Sequence, residues 1–148
     1  MDFGILGPLE VRDGSGLVRV PGVKERALLA DLLVHAGQVV SADRLVEDLW
    51  GDDPPGKPAN TLQGRVSALR RALGPGAGGL ATRPPGYVLE AGPDQVDAGR
   101  FERLVAEATA APAGEGPRAA RLLEEALGLW RGPALAEFAD QPWAQAEA

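Results

Sequence analysis

The spacing of apolar positions changes several times along the chain, and each spacing predicts an element. The opening FGILGPLEVRDGSGLVRV is apolar in short extended runs, broken by Gly7-Pro8 and by Asp13-Gly14-Ser15-Gly16. That pattern predicts a small antiparallel sheet with a hairpin. In VKERALLADLLVHAG, Ala27, Leu28, Leu32 and Leu33 recur at helical spacing, and Gly37 is placed to end a first helix. VVSADRLVEDLWG begins extended, then offers Ser41 as an N-cap, Leu45, Val46, Leu49 and Trp50 as a buried stripe, and Gly51 as a terminator. DDPPGKP breaks this second helix and delivers a third over 58–73, with Leu62, Val66, Leu69 and Leu73 on one narrow stripe and Gly74-Pro75 at its end. LATRPPGYVLE reads as two extended arms around Pro84-Pro85-Gly86, a second hairpin.

AGPDQ reads as a linker. Beyond it, Phe101, Leu104, Val105 and Ala108 mark one helix, and Leu122, Leu123, Ala126, Leu127 and Trp130 mark another. A third begins near Gln141 and is expected to lack its partner face at Ala148, as in a fragment of a longer chain. Helix pairs of this kind need several copies to cover their apolar faces. The expected fold is α+β over residues 1–92, with an N-terminal antiparallel sheet, three helices and a C-terminal hairpin, followed by an all-α segment over residues 93–148.

At 148 residues and 45 % hydrophobic content the chain can bury a core. No run approaches the roughly 18 apolar residues that would cross a bilayer, and MDFGILGPLEV lacks the basic start of a signal peptide. A cytoplasmic protein without membrane partners is expected. With no Cys, one His and one Met, disulfides and thiolate or imidazole metal sites are excluded, and no cofactor is expected. The six-residue run from Gly74 to Gly79 satisfies GxGxxG literally, but it follows a helix and precedes a strand, the reverse of the dinucleotide-binding order. His35 falls in the last turn of an amphipathic helix, where capping or surface exposure is the plainer role than a Ser-His-acid triad. The paired carboxylates Asp52-Asp53 and Glu124-Glu125 lie on a loop and a helix face suited to solvation, so no enzyme is predicted.

Net charge is −6, which by itself argues against a nucleic-acid partner. Its distribution argues otherwise. Residues 1–93 hold ten Lys or Arg against eleven Asp or Glu, whereas residues 94–148 hold five against ten. Between Asp53 and Glu90 there is no carboxylate at all, while Lys57, Arg65, Arg70, Arg71 and Arg83 all fall there. The outward side of the third helix carries Asn60, Gly64, Ser67 and Arg71, flanked by Thr61, Gln63, Arg65, Ala68 and Arg70. Solvated helices commonly mix Glu with Lys or Arg for the few tenths of a kcal/mol that i,i+4 pairs add; this one has none. Small outer residues let a helix approach base edges in the major groove, arginines reach phosphates or guanines, and an arginine at a hairpin tip can enter a narrow minor groove. A helix-turn-helix followed by a cationic hairpin is the plan of a winged helix.

The blocks FGILGPLEV, K-ERALLADLL, VVSADRLVEDLWGDDPP, ANTLQGRVSALRRALG and TRPPGYVL resemble an OmpR/PhoB-type winged-helix DNA-binding domain of the Streptomyces antibiotic regulatory protein family. DAGRFERLVAEA, LLEEALGLWRGPAL and QPWAQAEA are similar to the start of the bacterial transcriptional activation domain that follows in that family. The resemblance implies a transcription regulator, usually an activator of biosynthetic gene clusters, that binds direct repeats in double-stranded DNA as a head-to-tail pair and recruits RNA polymerase holoenzyme. It implies DNA contacts from Asn60, Thr61, Gly64, Arg65, Ser67, Ala68, Arg70 and Arg71, and from Arg83 in the minor groove. It also implies a polymerase-contact loop bearing Asp52, Asp53 and Lys57, a TPR-like C-terminal bundle for contacts between protomers, and a nucleoid location. Gly64 and Ala68 are smaller than the residues often found at base-reading positions, which leaves direct readout thin. No receiver domain is expected ahead of a sheet that starts at Phe3. The competing reading is a protein-interaction adaptor that uses a winged helix without binding DNA.

Overall fold

The computed structural model describes residues 1–74 and 79–145. Strands β1 (Asp2–Gly4), β2 (Glu10–Asp13) and β3 (Gly16–Leu17) form an antiparallel sheet in that order, with Phe3 opposite Val11 and Arg12 opposite Leu17. Helix α1 (Val23–Val34) follows, then the two-residue strand β4 (Val40–Ser41), helix α2 (Ala42–Trp50) and helix α3 (Pro58–Leu73). Strands β5 (Leu80–Arg83) and β6 (Gly86–Leu89) form the second hairpin, and β4 joins it to give a sheet ordered β4-β6-β5. Helices α4 (Asp97–Ala110), α5 (Gly116–Gly128) and the short α6 (Pro142–Gln145) complete the chain.

Helices α2 and α3 stop where their chemistry says they should, whereas α1 ends at Val34, three residues short of Gly37. Ser41 Oγ accepts the Arg44 amide at 3.1 Å and starts α2, and Gly51 ends it at φ +58°, its amide bonded to the Glu47 carbonyl at 2.7 Å. Lys24 of α1 donates to the Leu49 carbonyl in the last turn of α2 and lies 5.5 Å over the Trp50 ring. Pro58 opens α3, where a missing amide costs nothing, and Gly74 closes it at φ +68°. Leu62, Val66, Leu69 and Leu73 are buried as their spacing requires. The apolar spacing marks only one side of α1, but Leu29, Ala30 and Asp31 are buried as well. This helix is the centre of the core, faced by α2, α3, β6 and α6.

The C-terminal expectations need two corrections. AGPDQ is no free linker: Pro93–Gln95 form a 3-10 turn, and Val96 makes a parallel bridge to Phe3. Nor does the last helix lack a partner, because its Trp143 and Ala144 are buried with Leu135 and Phe138 in the same core as α1. The segment leading to α6 is stitched to the loop between β1 and β2. Asp97 accepts the amides of Ile5 (2.8 Å) and Leu6 (3.0 Å), while Arg131 and Leu135 donate their amides to the carbonyls of Leu6 (2.8 Å) and Ile5 (2.9 Å). Glu137 takes the Leu9 amide at 2.7 Å and is held by Arg26 of α1 at 2.7 and 3.0 Å. Burial works against the Glu137 charge, but these bonds outweigh it and lower its pKa below the usual carboxylate value.

Helices α4 and α5 pack on one another as their apolar spacing predicts, but the expected stripe is only partly covered. Leu104, Ala108 and Ala126 are buried, and the Phe101 and Trp130 rings meet edge to face at 5.6 Å. Leu123 and Leu127 remain exposed, Leu127 by 67 %. Among the described residues there is one such pair, not the stack that a TPR-like bundle requires.

Asp31 is fully buried between α1 and α2, its carboxyl oxygens without a fixed donor. Burial, then the hydrogen bond and the negative charge of Asp48, push its pKa up to about 8; Arg44 opposes this weakly, and His35 Nδ1 stands 3.5 Å away. Because the folded state holds a proton that the unfolded state releases near the ordinary value of 3.8, stability is greatest below that pH and falls as pH rises towards about 8. Asp31→Asn should remove this decline. Thermal melts should show the variant a few degrees above the wild type at pH 8 and level with it at pH 4; parallel curves for the two proteins would contradict the assignment.

Candidate nucleic-acid interface

Helix α3 lies across α1 and α2, so its apolar stripe is consumed and its opposite side faces outward. Asn60, Gln63, Gly64, Ser67 and Arg71 are exposed on that side, and Thr61, Arg65, Ala68 and Arg70 flank it half-buried. There is no acidic residue in its first turn, and Arg70 and Arg71 occupy its last. A Cβ added at Gly64 would meet nothing within 4 Å. Packing therefore does not demand glycine there; its effect is to leave bare backbone on the outer surface.

The hairpin stands beside this helix because of Gly86. A Cβ at that position would fall 1.9 Å from the Val40 carbonyl oxygen and 2.8 Å from the Ala42 amide nitrogen, so only glycine lets β6 close on β4. The Ala42 amide also donates to the Pro85 carbonyl at 3.1 Å, tying the hairpin turn to the start of α2. Between α3 and the hairpin runs a groove lined by Asn60, Gly64, Ser67, Arg70, Thr82 and Tyr87.

The arginines are less alike than their shared freedom from sequence-local acid suggests. Arg70 is a structural tie: its Nε and Nη2 both donate to the Leu80 carbonyl, at 3.1 and 3.0 Å, and Nη2 also reaches Thr82 Oγ1 at 3.0 Å. Arg65 meets Glu25 of α1 at 3.0 Å, and Arg83 is paired with Glu90. Arg71 and Lys57 have no charged partner among the described residues. Asp52, Asp53 and Lys57 are all exposed on the loop between α2 and α3.

Every residue expected at the surface is thus on α3, its preceding loop or the hairpin, but only some are unengaged. Sequence reading missed Glu25, Glu90, Thr82 and Tyr87. The first two sit just beyond reach of a local charge count: Glu25 belongs to another helix, and Glu90 is the residue at which the acid-free span ends. Of the GxGxxG run, residues 75–78 lie outside the described residues. Among the described residues no group of three His, Cys, Asp or Glu could hold a metal ion, and no helix is long and apolar enough to cross a membrane.

Comparison with known proteins converges on regulators of transcription. A family profile described as "Transcriptional regulatory protein, C terminal" matches residues 21–89, and one described as "Bacterial transcriptional activator domain" matches residues 96–148. Transcriptional regulator RedD of Streptomyces coelicolor is 38 % identical over 141 residues, a match covering 91 % of this chain and 40 % of that protein. Regulatory protein DnrI of Streptomyces peucetius is 34 % identical over 147 residues, covering 93 % of this chain and 54 % of that protein. The solved structure of Mycobacterium tuberculosis EmbR in complex with a low-affinity phosphopeptide superimposes with a TM-score of 0.89 at 38 % identity, over 98 % of this chain and 40 % of that one. Against these relatives the chain spans about half of their length or less. On these matches, the chain carries a transcriptional regulatory region followed by a bacterial transcriptional activator region, and is similar over more than nine tenths of its length to regulators of the Streptomyces antibiotic regulatory protein family.

Proposed function

We propose that this chain is a sequence-specific double-stranded DNA-binding regulator of transcription, an activator of biosynthetic gene clusters acting in the cytoplasm at the nucleoid. The observation that carries the reading is the outward face of α3, exposed and free of carboxylates within the helix, beside a hairpin that presents Arg83. In this reading α3 enters the major groove with Asn60, Thr61, Gly64, Ser67 and Ala68 closest to the base edges, and Arg71 on phosphate. Arg65 faces the same groove. Arg83, 58 % exposed at its side chain, exchanges Glu90 for the minor groove, an exchange that an exposed ion pair makes inexpensive. Arg70 contributes chiefly by holding the hairpin against the helix.

The finer parts of the proposal follow from the family. A winged-helix domain over residues 1–92 binds direct repeats as a head-to-tail pair, residues 93–148 begin a TPR-like activation domain, and the loop with Asp52, Asp53 and Lys57 contacts RNA polymerase holoenzyme. No catalytic role is proposed. The adaptor reading lacks a reason for keeping carboxylates out of α3 and out of both strands of the hairpin.

If phosphates are neutralised by between two and five of these cations, log affinity for duplex DNA should fall against log salt with a slope between about −2 and −5. A flat dependence would contradict DNA binding. Arg71→Ala should weaken binding several-fold while leaving the thermal melt unchanged, since its side chain bonds to no other described residue. Arg70→Ala should instead lower the melt by about 1 kcal/mol of stability as well as weakening binding. Equal behaviour of the two variants in melting and in titration would overturn the division of roles.

A further inference from the structure

We infer that Glu25 is a positioning residue for DNA reading: its buried carboxylate fixes the Arg65 guanidinium so that Arg65 addresses a base edge instead of a phosphate. The inference rests on the proposed DNA-binding role of α3 and adds to it the residue that decides what one of its arginines can do.

Glu25 is an unusual place for an acid. It lies in the first turn of α1 and is 7 % exposed, yet it belongs to a helix other than the reading helix. Its carboxylate occupies the space in front of Gly22: a Cβ on residue 22 would fall 2.2 Å from Glu25 Oε2, and Gly22 holds φ +95°. Glycine at 22 thus makes room for the carboxylate at the positive end of α1, where a helix favours an anion. From that fixed point Oε1 accepts Arg65 Nη1 at 3.0 Å.

Arg65 is neither buried nor free. Its side chain is 42 % exposed, whereas that of Glu25 is 9 % exposed, so the pair has a sheltered anchor and an open end. Guanidinium carries five N–H donors in a rigid fork, and Glu25 takes one through Nη1, leaving others for a second partner. An unrestrained arginine on the rim of a groove helix spends most of its reach on phosphates, a contact blind to sequence. A restrained one loses less freedom on docking its fork to guanine O6 and N7. The same carboxylate offsets one positive charge in a surface that otherwise attracts any duplex. Both effects favour discrimination over general affinity.

The test uses the 148-residue chain and a duplex recovered by that wild-type chain from a random library. Binding to this duplex and to a scrambled duplex of the same composition is measured at several salt concentrations. Glu25→Gln keeps the shape and removes the charge. It should cut the ratio of specific to non-specific affinity about tenfold, the scale of one good arginine–guanine contact. It should also steepen the salt slope on the scrambled duplex by about 0.9, the signature of one additional cation on phosphate. A purely structural role for Glu25 would not move that slope. In an Arg65→Ala background, Glu25→Gln should change neither quantity. Should Glu25→Gln not fold, Arg65→Lys serves, since it keeps the charge beside Glu25 and loses the fork; the same loss of ratio is expected. Failure of the wild type to select any duplex would defeat the DNA-binding reading itself. A wild type that selects a site, with the ratio unchanged in Glu25→Gln or in Arg65→Lys, would overturn the role of Glu25 alone.

Discussion

The carboxylate of Asp97 is the pivot of this structure. It is buried, it accepts the amides of Ile5 and Leu6, and it also takes the amide of Ala98, which begins α4. Buried backbone donors must find an acceptor, and the loop between β1 and β2 finds its acceptors in Asp97 and Glu137, more than ninety residues away in sequence. Leu6 and Ile5 return the favour by accepting the amides of Arg131 and Leu135. Sheet, α1 and the C-terminal segment therefore cannot part without exposing unpaired backbone. The start of α4 and the segment that follows α5 are anchored on the same loop.

That rigidity gives the electrostatics their meaning. In the proposed function a chain of net charge −6 meets DNA through the span that lacks acid, and within it most arginines are already engaged, by Glu25, by the Leu80 carbonyl or by Glu90. What is left unpartnered among the described residues is small: Arg71 and Lys57, with the open edges of Arg65 and Arg83. A surface of this kind pulls weakly on any duplex and depends on fit. On the proposed reading, small residues at 64, 67 and 68 let the helix come close, and the held guanidiniums give the approach its direction.

Much of this was legible in the sequence, for identifiable reasons. Ser41, Gly51, Pro58 and Gly74 are local punctuation, so α2 and α3 could be bounded from their own residues, and the stripe on α3 is buried where its period puts it. The hairpin was legible from TRPPGYVL, though the reason for Gly86, the approach of β4, was not, because β4 lies some forty residues earlier. Periodicity overstated α5, since spacing says which side of a helix is apolar and not whether anything covers it; Leu123 and Leu127 are the result. The segment from Arg131 to Phe138 has no period at all, and Leu135 even adopts φ +48°, yet it closes the core. The pairing of Arg65 with Glu25 spans forty residues and two helices, beyond any local rule.

The central claim is that the duplex is met by α3, the loop before it and the β5–β6 hairpin. Backbone amide chemical-shift mapping on adding a selected duplex tests this residue by residue. The account predicts the largest shifts at Asn60, Gly64, Ser67, Arg71 and Arg83, with α4 and α5 essentially unmoved. Shifts concentrated on the exposed side of α5 around Leu123 and Leu127, with α3 silent, would contradict it.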